Sequence, residues 1–314
     1  MIPLWDAKLQ SVPMTTELRK SSATSFFSIE TNSGAGTSDL TNAQCRPNTI
    51  HWAYDSYMLS YGTGSALTKA GGDTWFFLTA DYAFGSAMER DATAVITANG
   101  GKVIGSVRHP LNTSDFSSFL LQAQASKAKV IGLANAGGDT INAIKQASEF
   151  GITSGGQKLA GLLIFLTDVH SLGLQTAQGL SLTESFYWDM NDDTRAFSKR
   201  FSERMANKVM PTMVQAGVYA AIIHYLKTLY SQGGNSHDGA KIVAAMKAMP
   251  SDDPLFGKGS IQPNGRAIHP AYLFEVKKPS ESKGPWDFYK LLATIPADQA
   301  FVPLDKSTCP LLKK

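Results

Sequence analysis

The sequence predicts an α/β protein in which a doubly wound parallel-sheet lobe is flanked, on both sides in sequence, by the pieces of a second lobe. Three observations carry this. From Gly71 to Trp188, short apolar runs alternate with amphipathic helical stretches. Beyond Asp189, three helical stretches follow one another directly. The length of 314 residues suits two domains better than one.

The alternation can be followed element by element. Asp73–Ala80 (DTWFFLTA) reads as a buried strand after a Gly-Gly turn, and Phe84–Asn99 as a helix stopped by Gly100-Gly101. Lys102–Val107 is the next strand. The Asn112–Asp115 cluster caps a helix that sets Phe116, Phe119, Leu120 and Ala123 on one face. Lys129–Ala134 is a third strand, and Asp139 opens a helix ended by Gly151. Leu162–Thr167 (LLIFLT) reads as a fourth strand and Leu180–Tyr187 as a fifth. Strands apolar throughout, with helices between them, imply a parallel sheet covered on both faces.

Asp192–Asn207, Thr212–Tyr230 and Asp238–Met249 then read as consecutive helices. They need a second apolar surface, for which the residues before Gly71 are the available partner. Phe256–Ile261 and Ala271–Val276 read as a hairpin around Pro263-Asn264-Gly265, and the Pro-, Lys- and Ser-rich stretch from Pro279 as irregular. The expected division is residues 1–70 with 189–270 in the first lobe, 71–188 with 271–290 in the second, and 291–314 as a tail. Two crossings between lobes make a hinge and a cleft.

Composition excludes several classes. The hydrophobic fraction is 43%, the charged fraction 18% and the net charge +3, with no basic stripe for nucleic acid. No run of ~18 apolar residues marks a membrane span. Met1–Arg19 lacks the apolar core and cleavage site of a secretory signal. Cys45 and Cys309 fit no zinc or redox spacing; they are either one disulfide closing a long loop or two free thiols.

Motifs for catalysis are missing. Gly34-Ala35-Gly36 and Gly62-Thr63-Gly64 begin like dinucleotide fingerprints but lack the third glycine. There is no phosphate loop, no nucleophile elbow and no metal spacing among the histidines. Asp192-Asp193 and Asp252-Asp253 read as caps. The sequence therefore calls for no enzyme activity, cofactor or metal.

Six stretches resemble the leucine/isoleucine/valine-binding branch of the type I periplasmic binding proteins. They are Ser33–Thr41 (SGAGTSDLT), Asn48–Tyr57 (NTIHWAYDSY), Gly71–Gly85, His109–Phe119, Gly132–Ile144 and Asp253–Gly265. The resemblance runs from about Asn32 to the C-terminus. It implies two doubly wound Rossmann-like lobes joined by a multi-strand hinge, with the ligand clamped between them. It further implies an ABC-importer permease as partner, a periplasmic setting and a monomer. A Cys45–Cys309 disulfide would suit that compartment.

The resemblance also implies a site. The loop matching Ser33–Thr37 binds a ligand's polar head, with backbone contact at Ala35 and hydroxyl plus backbone at Thr37; as a sequence it also reads, less strongly, as a turn with an N-cap. Tyr82 and Phe84 are candidate rings, Phe84 the better candidate for core. Asp168 either meets a ligand ammonium or caps the next helix. Ala136, in Asn135–Gly138, offers bare backbone. Trp52 and Tyr54 with Tyr82 would make an aromatic-lined pocket, favouring an amino acid, an aromatic acid or an amide.

One departure stands out. Too few residues precede Ser33 for the strand–helix units that begin the first lobe in this family. The first lobe is therefore expected to lack part of its sheet, leaving apolar patches on the helices after Asp189. A sensor module of the same fold is the alternative function; it would require an effector segment, and none is recognisable.

Overall fold

The computed structural model describes residues 29–234 and 238–312. The segment up to residue 28, including the N-terminal stretch without signal character, lies outside the described residues. Strands are β1 Glu30–Asn32, β2 Thr49–His51, β3 Thr74–Ala80, β4 Lys102–His109, β5 Val130–Ala134, β6 Lys158–Gly161, β7 Ser181–Glu184, β8 Ser251–Asp253, β9 Gly257–Ile261, β10 Ala267–Ile268, β11 Ala271–Val276 and β12 Tyr289–Ile295. The helices are α1 Ser56–Lys69, α2 Ala83–Ala98, α3 Ser117–Ala125, α4 Gly138–Glu149, α5 Leu166–Leu172, α6 Leu174–Ala177, α7 Asp192–Arg204, α8 Met213–Ser231, α9 Gly239–Ala248 and α10 Ala297–Ala300.

The main sheet has seven strands in the order β12-β11-β7-β6-β5-β3-β4. From β4 to β7 the pairing is parallel, and β11 and β12 add antiparallel. Trp75, Phe77, Val130 and Ala134 face one core, while Leu78, Ile131 and Leu133 face the other. Burial on both faces is why these strands read as unbroken apolar runs. Helix α1 covers β7 and β11 beside α2. The sequence reading instead assigned the residues of α1 to the first lobe.

The remaining strands form two small sheets, parallel β1–β2 and antiparallel β10-β9-β8, linked by a bridge between His51 and Arg266. Helices α8 and α9 pack around them. On α8, Tyr219, Ile222, Leu226 and Tyr230 are exposed. That helix carries the apolar patch expected beyond Asp189.

Three sequence assignments need correction. Leu162–Thr167 is not a strand: β6 is the preceding Lys158–Gly161, and α5 begins at Leu166. Leu162, Leu163 and Ile164 are buried in a loop, and apolarity alone records burial rather than conformation. The proposed hairpin keeps its turn, where Gly265 at φ +89° closes on Gln262. Its return strand, however, is β10, whereas Ala271–Val276 leaves for the main sheet as β11. The stretch after Pro279 contains β12, a full strand paired along β11, so the supposed irregular tail completes the sheet.

Candidate ligand-binding site

The order β4-β3-β5 gives the main sheet a topological switch point. From β3 the chain moves outward to β4, then returns to β5 on the other side of β3. The connections leaving β3 and β5 at their carboxyl ends diverge, which opens the crevice where ligands of doubly wound sheets bind. Tyr82 follows β3 and caps α2; Ala136 follows β5, with Gly137 (φ +58°) turning the chain into α4. Gly85 lies so close to the strand ends that a Cβ would meet the Ala80 carbonyl oxygen at 2.1 Å. Asn135 is fully buried, accepting from the Thr140 hydroxyl at 2.7 Å and lying 3.1 Å from His109 Nε2. That network holds the β5 loop.

The loop Ser33–Thr37 faces this crevice. Asn32 Oδ1 accepts the Gly34 and Ala35 amides at 3.1 and 2.8 Å, while the Ala35 carbonyl lies 2.7 Å from His51 Nε2. The Ala35 amide is thus engaged within the loop. Thr37 Oγ1 accepts the Asp39 amide at 3.2 Å and keeps its own proton to donate. Tyr54 donates to the Gly34 carbonyl at 2.9 Å. A Cβ on Gly36 would strike the Phe84 ring at 2.5 Å and approach the Tyr54 ring at 3.3 Å. The loop therefore rests directly on the start of α2. Ser38 and Ser56 both donate to Asp91 of α2, at 2.7 and 2.5 Å.

Among the predicted residues, Tyr54 and Tyr82 share this neighbourhood: burial raises the Tyr54 phenol well above its ordinary value, and Tyr82 adds to the shift. Tyr82 is half exposed, and its ring lies 5.8 Å from Phe84. Trp52 does not join them. Its ring packs on His224 of α8, 5.3 Å between centroids, beside a cavity of about 110 Å³ lined by Pro250–Asp253. Strand geometry ends at His51 and the chain bends at Ala53, so the two-residue alternation that would set Trp52 and Tyr54 on one face does not hold here. Asp168 is the third residue of α5, where its carboxylate accepts the Phe165 amide at 2.9 Å. It caps that helix, and burial raises its pKa.

A sequence profile described as periplasmic binding protein matches residues 24–284. The chain belongs to that family. A crystal structure of a periplasmic binding protein from Burkholderia mallei is 55% identical, with a TM-score of 0.87 over 91% of this chain and 74% of that one. A branched-chain amino-acid ABC-transporter ligand-binding protein from Burkholderia xenovorans is 39% identical, with a TM-score of 0.82 over 94% and 77%. Among curated relatives, the Leu/Ile/Val-binding protein homolog 6 of Brucella melitensis is 29% identical over 208 residues. That match takes in 64% of this chain and 52% of the relative, so the chain spans about half the length of the curated relatives it matches. The fold is that of a type I periplasmic binding protein.

Sequence reasoning passed over one buried acid of this periplasmic binding protein. Glu184 ends β7 at the carboxyl side of the sheet and is almost fully buried. Burial raises the Glu184 carboxyl well above the usual range, and Asp168 reinforces the shift. The available signal was the acid itself, a lone charge inside Leu180–Tyr187. Cys45 and Cys309 form a disulfide, Cα–Cα 5.6 Å.

Proposed function

We propose that this chain is an extracytoplasmic solute-binding protein that captures a small organic ligand and delivers it to the membrane permease of an ABC importer. The ligand is an amino acid, an aromatic acid or an amide, and it leaves chemically unchanged. The observation that carries the reading is the apposition of the Ser33–Thr37 loop to the switch-point crevice across Gly36 and Phe84. A ligand bridging that seam touches both sides at once, and only such a ligand favours the closed form.

In this reading the polar head of the ligand meets the Thr37 hydroxyl, while Asn32 and His51 hold the Ala35 backbone beside it. The Tyr82 ring and the Ala136 backbone line the crevice, Tyr54 braces the loop, and Asp168 marks the far end. The names of the Burkholderia xenovorans and Brucella melitensis relatives favour amino-acid ligands. The protein acts as a periplasmic monomer, without nucleic acid.

Thermal unfolding against branched-chain, aromatic and amide-containing molecules tests this. One chemical class should raise the melting temperature in a concentration-dependent way. A cooperative transition that none of them shifts would count against the reading.

A further inference from the structure

The apolar face of α2 is interrupted by an acid. Phe84, Ala87, Met88, Ala92 and Val95 are buried along that helix, and Asp91 is buried among them at 9% exposure. A carboxylate is kept in such a position where its lone pairs are taken up. Arg90 apart, its partners come from outside α2. Oδ2 accepts the Ser38 hydroxyl at 2.7 Å and the Ser56 hydroxyl at 2.5 Å, while Oδ1 accepts the Arg90 guanidinium at 2.9 Å.

These partners surround Thr37. Ser56 opens α1 and is fully buried. Its amide donates to the Gly36 carbonyl at 2.6 Å, and its hydroxyl accepts the Ser38 amide at 3.0 Å. One residue therefore holds the chain on both sides of Thr37. The single proton of the Ser56 hydroxyl goes to Asp91, so the carboxylate sets which way that hydroxyl faces. Asp39, whose amide orients the Thr37 hydroxyl, is ion-paired to Arg90 at 3.0 Å. Arg90 also donates to the Ser38 hydroxyl at 3.1 Å. Groups that stand in place before a ligand arrives lose less freedom when it binds.

We propose that Asp91 is a positioning residue of the ligand site, which fixes the Thr37 hydroxyl through Ser38, Ser56 and Arg90 before a ligand arrives. It acts without touching the ligand. This rests on the solute-binding reading and adds to it the residue that prepares the loop.

Two variants separate the serine contacts from the charge. Asp91→Asn keeps one oxygen for the two hydroxyls and loses the ion pair, while Arg90, half exposed, still has Asp39. Asp91→Ala loses all of these contacts. Backbone hydrogen exchange of the ligand-free protein comes first. In Asp91→Ala the Ser38 and Asp39 amides should exchange about tenfold or more faster, with those of β3 and β5 within about threefold of the parent. Asp91→Asn should stay near the parent throughout. Unchanged loop amides in Asp91→Ala overturn the assignment. So does an equal rise across β3 and β5, which would mark a residue that serves general stability only.

Titration calorimetry with L-leucine and with benzoate reads the consequence. For whichever of them the parent binds, Asp91→Ala should weaken binding about tenfold or more and Asp91→Asn by less than about threefold. Equal binding by Asp91→Ala and the parent overturns the positioning role and leaves the solute-binding reading standing. A parent that binds neither counts against that reading for both classes and removes the role with it.

If Asp91→Ala fails to fold, Ser38→Ala takes its place. It removes one hydroxyl and leaves the Ser38 amide on Ser56, so loop exchange should rise and affinity should fall by about threefold or more. An unchanged value of either overturns the assignment.

Discussion

The Arg266 guanidinium sits over the Phe301 ring, its central carbon 4.0 Å from the ring centroid. Arg266 is 1% exposed and donates to the carbonyls of Tyr54 and Trp52 at 3.2 and 3.0 Å, with Asp55 at 3.6 Å. One side chain thus joins the strand after the Pro263–Gly265 turn, the segment that sets Tyr54, and the C-terminal α10 region. Burial brings its pKa down to about 10, so it stays charged, with Asp55 opposing the shift. Asp55 in turn caps α1 through the Met58 amide.

Arg266→Met should therefore be strongly destabilising. Removing one member of a buried ion pair costs about 3–5 kcal/mol because its partner stays buried and unpaired. Adding Asp55→Asn should recover part of the loss while keeping an N-cap oxygen. Denaturant unfolding of the single and double variants measures both. Equal stability of the two would show that Asp55 is not the group left stranded.

The disulfide gives a second prediction. Cys45 and Cys309 are separated by 264 residues, and the bond ties the C-terminal segment to the loop that precedes β2. Closing so long a loop stabilises by about 2–5 kcal/mol in the chain-entropy account. Reduction should lower the unfolding midpoint, and Cys45→Ala with Cys309→Ser should do the same without further response to reductant. A midpoint indifferent to reductant would mean that the bond does not constrain the unfolded chain.

The seam between loop and crevice is open to a steric test. Gly36 is buried against Phe84, and a Cβ there overlaps the ring. Gly36→Val should push the Ser33–Thr37 loop away from α2. Affinity for the ligand found by thermal screening should fall about tenfold or more, with a larger radius of gyration in solution scattering. Pairing it with Phe84→Leu should restore part of the affinity, since the smaller side chain makes room. Failure of that rescue would indicate that Gly36 is required for its backbone rather than its size.

These tests also show where the sequence was informative. The strands β3 and β5 were legible because burial on both faces leaves continuous apolar runs, and their order placed Tyr82 and Ala136 at the crevice. LLIFLT misled for the same reason: Leu162–Ile164 fill both cores from a loop, and periodicity cannot tell that from a strand. Trp52 was drawn toward the site by its proximity to Tyr54 in sequence, although its ring turns to α8. Glu184 was hidden because its near-complete burial is a property that only a folded chain displays.

His269 supplies the pH dependence. Burial and the neighbouring Arg266 cation lower its pKa from 6.5 to about 4, outweighing the carbonyls of Pro270 and Trp52 at its two nitrogens. The folded ring is therefore neutral where the unfolded ring binds a proton. Between about pH 4 and 6.5 the unfolded state holds more protons, so stability rises with pH across that window and falls as the medium is acidified. At the acid end the loss is on the order of 3 kcal/mol. Glu184 acts in the opposite sense: its raised pKa makes the folded state hold the extra proton above the ordinary carboxylate range, so its contribution declines as pH rises. Comparison with His269→Gln separates the two. Unfolding free energies measured from pH 4 to 7 should show a shallower acid slope in the variant, and parallel curves would mean that another group carries the transition.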